Sequence, residues 1–63
     1  MSINEQIKQA RLLKGWSRYR LRVESGVSET HIRLIEEGKN DPSLRIVEAL
    51  CRALNIEVKI PIN

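Results

Sequence analysis

Apolar positions recur at three- and four-residue steps through most of the chain, then switch to every second residue at the end. Ile3, Ile7, Ala10 and then Leu13 or Lys14 keep helical spacing behind Ser2 and Glu5, which form a capping-box signal. Gly15 suits a left-handed C-cap, so the pattern predicts a first helix from Asn4 to Lys14. Ser17 can cap a second helix, Arg18 to Ser25, with Trp16 and Leu21 placed as a hydrophobic staple and Gly26 as the stop. Ser28 can cap a third, with Val27 and Ile32 repeating the staple, Ile32 and Ile35 as the inner stripe, and an end at Glu37 before Gly38. Lys39 to Pro42 reads as a turn. Ser43 or Asp41 then starts a fourth helix, whose Leu44, Val47, Leu50, Cys51 and Leu54 form an apolar stripe that Asn55 can close.

Ile56, Val58, Ile60 and Ile62 alternate with Glu57, Lys59 and Pro61, which is the period of a strand, and Pro61 suits an edge or a strand end. The chain offers no second strand for it. The expected core is Ile7, Leu21, Ile32, Ile35, Leu44, Val47, Leu50 and Leu54. Cys51 on the same stripe reads as a small buried hydrophobe rather than a reactive thiol.

Sixty-three residues allow one domain, at a size where a single core is marginal and a partner subunit would help. The balance of 41% hydrophobic and 30% charged residues is that of a globular chain. No apolar run reaches the roughly 18 residues of a membrane span, and the start lacks the pattern of a signal peptide. One cysteine and one histidine, Cys51 and His31, leave no disulfide framework, metal cluster or catalytic triad, so no cofactor and no enzyme are expected, and a cytoplasmic location is. The net charge of +3 is unevenly spread: Lys14, Arg18, Arg20 and Arg22 fall within nine residues that hold no acid. Such a run is either a solvated face or the footprint of an acidic partner.

The second and third helices, joined at Gly26 and pinned by Leu21, Val27, Ile32 and Ile35, form a helix-turn-helix candidate. With Ile7, Arg11, Gly15, Ser17, the run Ser25-Gly26-Val27-Ser28, the run Ile35-Glu36-Glu37-Gly38-Lys39, Pro42-Ser43-Leu44 and Ala53-Leu54, the chain resembles the Cro and phage-repressor type of helix-turn-helix regulators, also called XRE-type. The resemblance covers Ile7 to Ile56. It implies an all-α, compact lambda-repressor-like domain of four helices, or five, over residues 1–55, here followed by a short C-terminal β-strand over 56–63. It also implies that the third helix enters the major groove of double-stranded DNA.

With Ile32 and Ile35 inward, helical geometry turns Thr30, Arg33 and Leu34 outward. Ser28 and Glu29 lie at the helix start, where recognition helices face base edges. Arg33 could pair with guanine and Glu29 with a cytosine amino group, or Glu29 could merely complement the helix dipole. Leu34 could meet a thymine methyl or stand as plain surface. Ser17, Arg18, Lys39 and Asn40, at a helix start and a loop, are the expected phosphate ligands. The resemblance further implies a shielded ion pair between Arg11 and Glu36. Two positions depart from the family. Arg18 replaces a usual glutamine, and Arg22 replaces a small residue. On the helical wheel Arg22 falls beside Leu21 and Ser25, so either its stem slides past the packing seam or the second and third helices stand apart. Tyr19 and Val23 share the opposite face, as plain surface or a partner patch.

These readings point to a sequence-specific transcriptional regulator. Its alternatives are an antitoxin-type regulator that also holds a toxin protein, or an interaction adaptor that has lost DNA binding. The lone strand suggests a homodimer on a near-palindromic operator. Antiparallel pairing centred on Val58 would set Glu57 opposite Lys59 of the second copy and Ile56 opposite Ile60.

Overall fold

The computed structural model describes residues 2–57. Four helices follow one another: α1 (Ile3–Leu13), α2 (Arg18–Ser25), α3 (Glu29–Glu36) and α4 (Leu44–Leu54). Each begins where a serine hydroxyl accepts an N–H that the helix itself leaves unpaired: Ser2 from Glu5, Ser17 from Arg20, Ser28 from His31 and Ser43 from Ile46. Ser43, not Asp41, therefore opens α4.

The helices end in left-handed backbone. After α1, α3 and α4 the reversal closes with a bond spanning five residues, from the N–H of Trp16 to Arg11, of Lys39 to Leu34 and of Ile56 to Cys51. After α2 a side chain takes over. The Ser25 hydroxyl donates to the Leu21 carbonyl at 2.6 Å and accepts the Val27 N–H at 3.1 Å. The link from α2 to α3 thereby stays short, with Gly26 at φ +79° as its pivot.

α2 packs on both α3 and α4, and α1 on the same two helices. Ile7, Leu21, Val27, Ile32, Ile35, Val47, Leu50, Cys51 and Leu54 fill the space between them, with Trp16, Ile46 and Ile56 against the edge. Leu44 corrects the expected core, since it is 60% exposed. As the first residue of α4 its side chain leans toward the helix N-terminus, off the packed part of the stripe. Among the described residues there is no strand. Ile56 is half-buried and Glu57 exposed, and the rest of the expected strand, Val58, Lys59 and Ile60 included, lies outside the described residues. No described helix is long and apolar enough to cross a membrane.

Candidate nucleic-acid interface

The turn at Gly26 and the buried Val27 set α3 against α2 with Ile32, Ile35 and Glu36 facing inward. What remains outward at the start of α3 is Ser28, Glu29, Thr30 and, one turn on, Arg33, all exposed, with Leu34 half-buried beside them. Ser28 is engaged through its hydroxyl, which receives the His31 N–H at 3.1 Å. Arg33 reaches Glu37 at 3.3 Å, and Lys39 reaches the same Glu37 oxygen at 3.3 Å. Glu37 is thus the shared counter-ion of two cations expected to meet DNA. Its carboxyl is held below the usual range, first by the hydrogen bond from Lys39 and then by the charges of Lys39 and Arg33. Sequence reading passed over this role, although the spacing of Arg33 and Glu37 was visible.

Asn40 is exposed, and its carbonyl accepts Asn4 Nδ2 at 3.2 Å. The same Asn4 amide donates to the Ile35 carbonyl at 2.8 Å. The start of α1 therefore ties down the end of α3 and the loop carrying Lys39 and Asn40, a role the sequence pattern gave no reason to assign to Asn4.

Beneath this surface Arg11 and Glu36 form a two-pronged pair, Nε to Oε2 at 2.7 Å and Nη2 to Oε1 at 2.9 Å. The third nitrogen of Arg11 donates to the Trp16 carbonyl at 2.8 Å, which anchors the link between α1 and α2. Arg18 joins the pair by donating Nε to Glu36 Oε1 at 3.0 Å. Burial pushes the Glu36 carboxyl up, but hydrogen bonds and charge from Arg11 and Arg18 outweigh it and hold the group below its usual range.

The rest of the basic run lies against the two aromatic rings. Lys14 and Arg20 lie over the Trp16 ring, at 5.1 and 4.7 Å from its centre, and Arg20 also pairs with Glu24 at 2.9 Å. Arg22 carries its charge away from the contact with α3. It is exposed, with its guanidinium 5.0 Å from the centre of the Tyr19 ring. Its neighbour Leu21 is fully buried at the seam, while the charged head of Arg22 lies outside it. Cys51 is buried in the core, and that burial pushes its thiol up, away from the reactive thiolate. Among the described residues no cluster of side chains could hold a metal ion.

A short helix turned at glycine onto a second helix, whose outer face is left to polar side chains, is the geometry of a helix-turn-helix DNA-binding module. Comparison with protein families agrees: the helix-turn-helix family model matches residues 7–60, and the chain belongs to this Cro- and repressor-type (XRE) family of DNA-binding regulators. Searches of curated proteins and of solved structures gave no match.

Proposed function

We propose that the chain is a sequence-specific transcriptional regulator that lays α3 in the major groove. In this reading Ser28, Glu29, Thr30, Arg33 and Leu34 face base edges, while Ser17, Arg18, Lys39 and Asn40 take phosphates on either side. The observation that carries it is the exposed polar start of α3 in a chain of this family. The pairs of Arg33 and Lys39 with Glu37 are exposed, hence weak, and can open toward DNA. Such a role places the protein in the cytoplasm with its operator. Residues 56–63 serve as a dimerisation element in this reading, and a homodimer would read a near-palindromic site.

Enrichment of genomic fragments by the purified protein identifies the operator. On it, Arg33→Ala is expected to lose roughly 1–3 kcal/mol of binding and to relax base discrimination. Lys39→Ala is expected to weaken cognate and random duplexes alike and to flatten the salt dependence. Equal losses on both duplexes for both variants would refute this division of roles.

A second reading, an antitoxin-type regulator that also holds a toxin protein, draws on Tyr19 and Val23. They lie one turn apart on α2, 57% and 55% exposed, and leave apolar surface that a protein partner could cover. A third, an adaptor without DNA binding, predicts no salt-dependent shift of random duplex DNA.

A further inference from the structure

We infer that Glu36 is a positioning residue for DNA binding: from inside the domain it holds the Arg18 guanidinium by Nε and so presents that group's outer edge to a phosphate at the start of α2. The inference rests on the reading that Arg18 meets a phosphate.

The three side chains divide the work unequally. Arg11 is only 9% exposed and spends all three of its nitrogens inside the domain, two on Glu36 and one on the Trp16 carbonyl. Glu36 has no exposed side-chain surface at all. Arg18 is 32% exposed and commits Nε alone to the Glu36 oxygen that already receives Arg11 Nη2. Two guanidinium groups therefore share one carboxylate, and the trio carries one surplus positive charge; of the three side chains Arg18 is the most exposed, and its Nη edge is not engaged by Glu36. That edge is a planar fork suited to a phosphate. Arg18 is also the first residue of α2, where helix geometry leaves N–H groups free and favours an anion.

Holding the fork beforehand removes much of the ordering cost that a free surface arginine meets on binding. This arrangement needs arginine. A lysine has the charge but no side-on nitrogen for Glu36, and a glutamine has neither the charge nor the second edge. The same carboxylate, carried by α3, also holds Arg11 of α1, whose third nitrogen takes the Trp16 carbonyl in the α1–α2 link, so the phosphate contact of α2 is set relative to the base-reading helix by one buried group.

Duplex binding by three full-length variants tests the inference, with folding checked by circular dichroism. Arg18→Lys keeps the charge and is expected to bind cognate and random DNA about tenfold more weakly with an unchanged salt slope, while Arg18→Gln should flatten that slope by about 0.9. Glu36→Gln is expected to cost about tenfold more in the natural background than once Arg18 is glutamine, where only its pairing with Arg11 is left to lose. Wild-type affinity in Arg18→Lys, or full additivity of the Glu36 and Arg18 changes, overturns the positioning role. Wild-type affinity and slope in Arg18→Gln overturns the phosphate contact itself and the inference with it. Should Glu36→Gln fail to fold, Arg18→Lys decides alone.

Discussion

Leu50 and Leu44 belong to one apolar stripe and have opposite surroundings, 0% against 60% exposed. Leu50→Ala is expected to cost on the order of 2–5 kcal/mol through lost burial and a cavity, and Leu44→Ala no more than about 0.5. Urea unfolding followed by the emission of Trp16, the only tryptophan, separates the two. Glu36 is the second residue whose surroundings decide its effect. Its carboxyl lies below the ordinary value of 4.5 in spite of burial, because Arg11 and Arg18 favour the charged form. Near and below that value the unfolded chain binds more protons at this site than the folded one, so stability rises with pH there. The contribution is complete above the ordinary value and is lost as pH falls through the lower, folded one. Glu36→Gln is expected to flatten the acid side of the stability curve. An acid limb as steep as that of the unaltered protein in this variant would show that the pair does not govern acid unfolding.

At the level of elements, the sequence was most legible where local chemistry acts alone. Serines at 2, 17, 28 and 43 cap helices, and Gly15, Gly26, Gly38 and Asn55 end them with positive φ, as their types and spacing imply. Boundaries moved by a single residue, α1 starting at Ile3 and α3 ending at Glu36. What escaped depends on neighbours distant in sequence or on details of side-chain reach. Asn4 bonds the Ile35 and Asn40 carbonyls, and Arg18 bonds Glu36, across spans no periodicity encodes. The wheel leaves the fate of Arg22 open because it places Cα atoms, whereas a long side chain can swing to an aromatic ring three residues back. Gly26 shows how much of the helix-turn-helix geometry rests on one backbone conformation. A Cβ there would meet nothing within 4 Å, so its constraint is the φ of +79°. Gly26→Ala is expected to cost about 1–2 kcal/mol and Gly26→Asn less, since asparagine tolerates this region. Thermal melts in which the two variants are equally stable would place the constraint elsewhere.

For the molecule as a whole, the strength of the proposed DNA binding turns on how many contacts one copy can offer. One copy offers a single eight-residue α3 and few phosphate ligands, whereas two copies related by a two-fold axis would set two such helices about 34 Å apart, in successive major grooves. The sequence supplies a candidate zipper in Ile56 to Ile60. Pairing about Val58 sets Glu57 against Lys59 and Ile56 against Ile60, whereas a centre at Glu57 would set that acid against itself. Ile56 already lies against its own core, and its N–H closes the end of α4 on the Cys51 carbonyl at 3.0 Å. A cut after Asn55 would therefore injure the domain as well as the proposed zipper. A cut after Glu57 keeps the core contacts that the described residues make with one another, Ile56 included, and removes the centre of the pairing. The shortened chain is expected to melt close to the full-length protein, to sediment as a monomer, and to lose most of its affinity for a two-half-site operator while keeping its affinity for one half-site. A dimer that survives the cut would move the interface to the helices, with the exposed Tyr19 and Val23 of α2 the first place to look. A full-length chain that stays monomeric at high micromolar concentration would end the two-copy reading.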